Sequence, residues 1–386
     1  MDLSLKPKII KNGILIRLVL IVILVLSSLF ILKPLTYNNY PDFGSYYYST
    51  KNLTEGRNPY FDLGNRFGFF LYPPPVLFLF LPLTLISYSV AGKIFTAISI
   101  FCFLLSIYLL LKIINIKPFS NLGMFLSILA FNFFPAKFTL GMGQINNIVL
   151  LGVILFIYFS LNKEWIYSGI FLALASLLKV WPVILLTVPL INSRWKILSS
   201  FAAVLAFVFM ITYPILGKDV YYYFFLVTLP SLFTNTAGTY YNQSLSGFLL
   251  RQINNPATFK AIRDILDLMI LSATLYLTMK FSQIKNNIML LNVSVLITLS
   301  LILTSTSWQH HFVWLLVPLF LTFSYIRKNK MNLKYYFALG VSYVLVALNL
   351  KNPSSIPVLF QSHVFFGAFL LYIFDIRLLM KRINTL

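Results

Sequence analysis

The stretch Tyr40-Pro41-Asp42-Phe43-Gly44-Ser45-Tyr46-Tyr47-Tyr48 directly follows the first long apolar run of the chain. It begins a polar and aromatic loop, 33–70, which holds three of the nine acidic residues in 386 positions. Most of the sequence beyond this loop is apolar, so carboxylate chemistry has few other places to occur. We therefore take Asp42 as the candidate reactive group.

The composition around this loop is that of a membrane protein. Hydrophobic residues make up 59% of the chain and charged residues 10%, whereas soluble domains carry roughly 25% charged residues. Many separate apolar runs reach the ~20 residues that a helix needs to cross a bilayer. We predict an all-α polytopic membrane protein with about 11–13 transmembrane helices. The first run, 14–32, has no small-residue cleavage site at its end, so we predict a retained helix rather than a signal peptide.

The net charge of +21 is best explained by the orientation of the chain in the membrane rather than by binding to nucleic acid. Lys and Arg cluster in short segments between apolar runs, which is the pattern of cytoplasmic loops, and no segment is long enough to form a soluble nucleic-acid-binding domain. We therefore predict cytoplasmic N- and C-termini and an extracytoplasmic 33–70 loop. The single cysteine, Cys102, lies inside an apolar run, so we expect neither a disulfide framework nor redox chemistry.

The predicted organisation is one integral-membrane domain over residues 1–386, without repeats. Its parts are a first helix at 14–32, the external loop 33–70, a helical core at 71–326 with a second external segment at 216–260, and C-terminal helices at 327–386. Within these parts we expect helices near 91–113, 121–139, 145–161, 197–215, 261–280, 288–304, 309–326, 335–350 and 358–377, and a short helical pair over 166–191.

The run 72–87 allows two topologies. Pro73, Pro74 and Pro75 remove amide donors and prevent a regular helix start, so the run either spans the membrane or enters from outside and turns back. A spanning run would put Lys112, Lys117 and Lys163 outside, whereas a re-entrant run puts them in the cytoplasm. The positive-inside rule favours the re-entrant interpretation.

Two isolated charges on the predicted outer face each have a functional and a bland interpretation, since ionisable groups at membrane depth are functional candidates by default. Asp42, flanked by Pro41 and Gly44, is expected in a turn with a freely projecting side chain, and its alternative is an Asx-turn or a helix N-cap. Lys179 lies within Leu-Leu-Lys-Val-Trp-Pro, and its alternative is snorkelling from a helix end. The residues alone leave both alternatives open.

The histidine pair and the remaining acids are easier to interpret. His310 and His311 are adjacent, whereas metal ligands on one helix face are three or four residues apart. We therefore predict that one of them hydrogen-bonds a phosphate or sugar, and that the site holds no metal. Glu55 and Asp62 lie among other charges, and we interpret them as solvated loop residues.

Short motifs along the chain resemble glycosyltransferase family 87, membrane enzymes of the GT-C superfamily. The motifs, in order, are Asp42-Phe43-x-x-Tyr46-Tyr47, Gly56-x-x-Pro59-Tyr60, Tyr72-Pro73-Pro74, Gly143-Gln144-x-Asn146, Leu178-Lys179-x-x-Pro182 and His310-His311-Phe312. Each motif is weak alone, but their common order on one predicted face makes the resemblance specific. It covers roughly residues 38 to 320.

The resemblance implies a GT-C fold and a polyprenyl-phosphate-linked sugar donor. The sugar, a hexose and by analogy with characterised relatives mannose, would pass to an extracytoplasmic glycan or glycolipid acceptor at the plasma (inner) membrane, in contact with membrane lipid and without a cofactor. Asp42 is then the implied general base of an inverting, single-displacement reaction. Residues expected to bind the donor or its phosphate are Lys179, His310, His311, Gln144, Asn146, Arg57 and Tyr46.

Two other classes of protein remain as alternatives. A polysaccharide polymerase or ligase would also use lipid-linked sugars, but would rely on external arginines and histidines rather than on an early Asp. A multi-pass lipid or solute transporter would place polar residues at the midplane on broken helices, often within inverted repeats. If the transferase interpretation holds, Asp42, Lys179 and the two histidines should converge on one external cavity.

Overall fold

A computed structural model describes residues 5–61, 69–281, 286–350 and 355–381. Helices dominate these ranges, and the only extended pairing found in them is an isolated antiparallel bridge between Asn242 and Trp308. The prediction of an all-α polytopic architecture is confirmed. Asp62, Arg66, Lys285 and Arg382 lie outside the described residues.

The α-helices are α1 Leu5–Leu32, α2 Pro41–Thr54, α3 Val76–Phe80, α4 Tyr88–Ile113, α5 Asn121–Asn132, α6 Phe134–Met142, α7 Asn146–Leu161, α8 Trp165–Leu178, α9 Thr187–Ile191, α10 Trp195–Leu216, α11 Lys218–Tyr223, α12 Leu229–Thr234, α13 Leu245–Leu250, α14 Pro256–Phe281, α15 Asn286–Leu303, α16 Leu316–Lys328, α17 Leu333–Ala347 and α18 His363–Lys381. Short 3₁₀ helices cover Lys33–Thr36, Leu81–Leu85, Trp181–Leu186, Gln309–Leu315 and Phe360–Ser362, and a π-helical turn covers Phe224–Thr228.

Length and apolar composition identify four candidate membrane spans in the described part of the chain, or five if the bent pair α5–α6 is one span. The four lie in Gly13–Thr54, Tyr88–Ile113, Trp195–Leu216 and Phe360–Lys381. Several further apolar helices are shorter than a full span. The expected count of about 11–13 transmembrane helices therefore stays a prediction.

The core is built by helices in the middle of the chain. α7 packs against α4 and α8, α8 packs against α10, and α15 packs against α16 and α18. α1 packs mainly on α5 and leaves most of its apolar side chains exposed. In a membrane protein such a surface is covered by lipid, because a helix satisfies its own backbone groups.

Asp42 lies in a helix, so the expectation that its backbone forms a turn is wrong. Pro41 occupies the first turn of α2, where its missing N–H costs nothing, and Asp42 follows as the one acidic residue there, where a negative charge suits the helix dipole. Tyr40, rather than Asp42, is the N-cap residue. Phe43, Tyr46 and Tyr47 recur at helical spacing and are buried, which explains why an aromatic-rich stretch forms a packed helix.

Two further segments differ from or refine the expected helices. Residues 76–85 form only α3 and a 3₁₀ turn, a length of roughly 15–20 Å that is too short for a bilayer and favours the re-entrant interpretation. The single helix expected at 121–139 is wrong, because α5 and α6 meet at a 51° bend. Phe133 is extended there, two residues before Pro135, whose ring prevents a continuous helix.

The segment 216–260, expected as an external excursion, contains α11, α12 and α13 as well as the first turn of α14. The pair expected over 166–191 has its break at Lys179, whose backbone is extended between α8 and the 3₁₀ helix Trp181–Leu186. In the first segment, Asn242 accepts the backbone N–H of Ser307 just before the 3₁₀ helix Gln309–Leu315.

Gly143 lies where α6 ends against α2, and we expect that a larger residue there destabilises the fold. Its φ is +69°, and a Cβ would lie 2.8 Å from the Cβ of Phe43 and 2.9 Å from that of Tyr40. Gly143→Ala should therefore lower the free energy of unfolding by roughly 1–3 kcal/mol, measured by thermal unfolding in detergent. Gly141→Ala is the matched control, because its Cβ would meet only Tyr37 at 3.7 Å. Equal melting temperatures for the two variants would contradict this packing.

Candidate functional site

Four segments of the chain bring their polar side chains to one place. Asp42 comes from the start of α2, Gln144 from the turn after α6, Lys179 from the link after α8, and His310 and His311 from the 3₁₀ helix Gln309–Leu315. Hydrogen bonds and close contacts connect these five residues, so the structure brings together most of the predicted site residues.

The carboxylate of Asp42 is held by one direct hydrogen bond. Nε2 of Gln144 donates to Oδ2 of Asp42 at 2.8 Å. Nδ1 of His310 lies 3.8 Å from the same oxygen, and the Asp42 side chain remains 24% exposed. No hydrogen bond to Oδ1 is found among the described residues, so this oxygen is free to face a bound molecule.

Lys179 is paired with an imidazole and enclosed by aromatic rings. Its Nζ lies 2.8 Å from Nε2 of His311, and it sits 5.7 Å from the ring centroid of Tyr72 and 5.2 Å from that of Trp314. A protonated lysine can only donate, so Nε2 of His311 accepts and the proton of that neutral ring lies on Nδ1. His311 also stacks on Trp314, with planes 6° apart.

Burial dominates the electrostatics of Lys179 and the two histidines, which lie outside the candidate spans. Burial lowers the pKa of Lys179 to about 7, while the negative charge of Asp42 acts in the opposite direction. Burial, and then the positive charge of Lys179, hold the pKa values of His310 and His311 well below the usual range. Both imidazoles are therefore neutral near pH 7, and Lys179 can change its charge there.

His310 is fixed through its backbone while its ring is left without a hydrogen-bond partner. Its carbonyl oxygen accepts from Thr139 Oγ1 at 2.8 Å and from Asn146 Nδ2 at 3.1 Å. Both ring nitrogens are buried and make no hydrogen bond within the described structure. An imidazole of this kind can bind an oxygen of a substrate that enters beside Asp42.

The other predicted binding residues lie behind the cluster or away from it. Tyr46 and Asn146 are fully buried and contact site residues from within the core. Arg57 is exposed near the far end of α2, where it pairs with Glu55 and donates to Asn52 at 2.7 Å. No contact found in the described ranges connects Arg57 to the cluster.

Sequence reasoning missed the aromatic and hydroxyl groups that complete the site. Tyr72 belongs to a quoted motif, but nothing local indicates that its hydroxyl lies 3.2 Å from Oε1 of Gln144. Trp314 follows the histidines by one helical turn, and its Nε1 donates to the carbonyl of Asn146 at 3.0 Å. The three-residue spacing of Trp314 from His311, which is one turn of a 3₁₀ helix, is the one signal that could have found it.

Buried hydrogen bonds around Asn242 hold the 3₁₀ helix Gln309–Leu315 in place. Asn242 is fully buried. Its Oδ1 accepts from the backbone N of Ser307 at 2.9 Å, and its Nδ2 donates to the carbonyl of Ser305 at 3.1 Å. The backbone of Gln243 donates to the carbonyl of Ser307 at 2.8 Å. The Asn242-Gln243-Ser244 sequence, although it matches a glycosylation sequon, is thus an internal support.

Within the described residues, no group of three or more His, Cys, Asp and Glu side chains could hold a metal ion. The expectation of a site without a metal stays a prediction.

Comparison with known families identifies the chain. The model of glycosyltransferase family 87 matches residues 70–306, which is more than half of the 386 positions. The chain belongs to glycosyltransferase family 87. The resemblance seen in the motifs is confirmed, and membership favours a transferase over the transporter alternative. The matched segment contains Gln144 and Lys179, but neither Asp42 nor the histidine pair, so the roles of these residues stay predictions.

Two curated relatives of this family 87 protein have assigned reactions. The polyprenol-phosphate-mannose-dependent alpha-(1-2)-phosphatidylinositol pentamannoside mannosyltransferase of Mycolicibacterium smegmatis is 25% identical over 250 residues, which are 65% of this chain and 60% of the relative. The alpha-(1->3)-arabinofuranosyltransferase of Mycobacterium tuberculosis is 28% identical over 215 residues, 53% of this chain and 48% of the relative. The chain thus covers less than two thirds of either relative.

The buried hydrogen bonds of Asn242 predict that its substitution strongly lowers the stability of the fold. Asn242→Ala removes the partners of several buried backbone groups and should lower the free energy of unfolding by roughly 2–4 kcal/mol, measured by denaturation in detergent. Asn329→Ala is the control, because that exposed side chain makes a single bond to the carbonyl of Tyr325; its effect should stay within about 0.5 kcal/mol. Similar losses of unfolding free energy in both variants would show that the hydrogen bonds of Asn242 do not stabilise the fold.

Proposed function

We propose that this protein transfers a hexose, mannose, from a polyprenyl-phosphate-linked donor to a glycan or glycolipid acceptor. The reaction takes place on the extracytoplasmic side of the plasma membrane, with both termini in the cytoplasm. It proceeds by a single displacement that inverts the anomeric configuration. The observation that carries this proposal is that one carboxylate and one half-buried ammonium lie in the same cluster: Asp42 Oδ2 lies 3.8 Å from Nδ1 of His310, and Lys179 Nζ lies 2.8 Å from Nε2 of the adjacent His311.

Asp42 acts as the general base. A carboxylate takes the proton of the acceptor hydroxyl as that oxygen attacks the anomeric carbon, and general base catalysis of this kind contributes about 10²–10⁴-fold. Gln144 occupies Oδ2 at 2.8 Å, so Oδ1 receives the proton. Glu55, by contrast, is paired with Arg57 away from the cluster.

Lys179 and the histidines face the departing phosphate. A polyprenyl phosphate is a good leaving group, so the site needs positive charge and hydrogen bonds rather than a strong acid. Lys179 supplies the charge while held by His311 at 2.8 Å, and His310 offers buried ring nitrogens without a partner. A donor with a lipid tail suits this chain, because its apolar helical surface is covered by hydrocarbon.

Mannose as the sugar and a polyprenol phosphate carrier are supported by the assigned reaction of the Mycolicibacterium smegmatis relative. The arabinofuranosyltransferase relative makes a pentose the comparison that any donor assay should include. The acceptor follows from the class of reaction alone, as a hydroxyl of a glycan or glycolipid at the outer surface.

Removing the base should abolish transfer without unfolding the protein. Purified protein with polyprenyl phosphate mannose and a mannolipid acceptor should form product, whereas the arabinofuranosyl donor should not serve. Asp42→Asn should lower kcat/KM by about 10²–10⁴-fold at an unchanged melting temperature. Glu55→Gln is the matched carboxylate control and should keep the wild-type rate. Wild-type turnover by Asp42→Asn would remove Asp42 from the mechanism.

The charge of Lys179 should make donor binding depend on pH. With a pKa lowered to about 7, Lys179 is cationic below that pH and neutral above it, so the donor KM should rise on the alkaline side by up to ~10-fold per pH unit. Lys179→Arg should flatten this rise because arginine stays charged, and Lys179→Met should raise the donor KM at every pH. Lys334→Met, at an exposed position, should leave the wild-type profile intact. A wild-type donor KM that is constant from about pH 6 to about pH 9 would contradict the phosphate role.

A further inference from the structure

The side-chain amide of Gln144 lies between the Asp42 carboxylate and two tyrosine hydroxyls. On one side its Nε2 donates to Oδ2 of Asp42 at 2.8 Å. On the other side its Oε1 accepts from the hydroxyl of Tyr46 at 2.8 Å and from that of Tyr72 at 3.2 Å. The two hydroxyls are themselves 2.8 Å apart, so the four groups form one connected chain.

The polarity of this chain is fixed by what each group can donate. A carboxylate only accepts, so the amide must turn its NH₂ towards Asp42 and its oxygen towards the hydroxyls. The oxygen of Tyr46 already receives the backbone N–H of Ile145 at 3.4 Å, which leaves its proton for Gln144 or Tyr72. Every arrangement of the two hydroxyl protons then points towards Oε1, directly or through the other tyrosine.

Burial separates the tyrosines from any substrate. Tyr46 is 0% exposed, Gln144 is 6% exposed and Tyr72 is 9% exposed. The ring of Tyr46 stacks on Phe80 at 4.6 Å with planes 7° apart, so it cannot turn outward without breaking the core. The two hydroxyls therefore reach Asp42 only through the amide of Gln144.

We propose that Tyr72 and Tyr46 are positioning residues that hold Asp42 oriented and ionised through Gln144. This rests on the proposed role of Asp42 as general base and departs from the donor-binding role that the sequence indicated for Tyr46 and Gln144. Hydrogen bonds in a row polarise one another where the local dielectric is low. Donation into Oε1 strengthens the donation of Nε2 to the carboxylate, and occupation of Oδ2 leaves Oδ1 to take the acceptor proton.

Tyr72→Phe tests the proposal, because it removes one hydroxyl and keeps the ring. With less support for the charged form of Asp42, the acidic limb of the kcat–pH profile should move to higher pH by roughly half a unit to one unit. The donor KM should stay at the wild-type value. Gln144→Glu places a second carboxyl against Asp42 and should move the limb further in the same direction.

Tyr47→Phe is the matched control. Tyr47 lies next to Tyr46 on α2, but its hydroxyl donates to the carbonyl of Ile86 at 2.8 Å. It takes no part in the hydrogen bonds that reach Gln144. The limb should not move in this variant. An unmoved limb in Tyr72→Phe, or a change confined to the donor KM, would overturn the proposal, since a purely structural role lowers the amount of active protein without shifting a titration.

An infrared difference titration separates failure of this proposal from failure of the proposed function. The carboxyl band that is lost in Asp42→Asn reports the protonation of Asp42 directly, with no substrate present. If the midpoint of this band's pH titration lies at higher pH in Tyr72→Phe than in the wild type, the positioning role is supported even if no sugar is transferred. An unchanged midpoint refutes the positioning role even if the wild type is an active transferase.

Discussion

A carboxylate that is largely enclosed by apolar helices costs free energy unless the protein supplies a hydrogen bond to it. Asp42 satisfies this constraint through Gln144 at 2.8 Å, a contact that brings the start of α2 against the turn after α6. That turn requires Gly143 in the left-handed region, and it leads into α7, whose Asn146 donates to the carbonyl of His310 at 3.1 Å. A single polar requirement thus ties together helices that are far apart in sequence.

The positive side of the site is arranged differently. Among the ion pairs of the described residues, none joins Lys179 to a carboxylate within 4 Å. Its Nζ lies instead against a neutral imidazole and two aromatic faces, which stabilise a cation without neutralising it. Since the ordering of His311 by Trp314 is completed in the folded protein, little reorganisation is left for the moment when a phosphate binds.

The apolar helices could be predicted from the sequence because their signal is local. Tyr88–Ile113 and Asn146–Leu161 differ by only a few residues from the expected 91–113 and 145–161. α2 lies in the expected loop 33–70, where a helix start at Asp42 was only the alternative, because its residues are polar and aromatic and its buried face has meaning only once its packing partners are in place. The hydrogen bond between Asp42 and Gln144 joins residues 102 positions apart. Motif order placed both residues on one face, but no local pattern states which atom meets which.

The bend between α5 and α6 has a geometric consequence for where a site can lie. α6 has nine residues and is therefore about 13 Å long. A turn of 51° displaces its far end sideways by about 10 Å, close to the diameter of one helix. The end of α6 therefore lies beside the axis of α5, at the position of a neighbouring helix. The bend costs a few backbone hydrogen bonds around Phe133, and it places Gly143 and Gln144 where a straight helix of the same length would not.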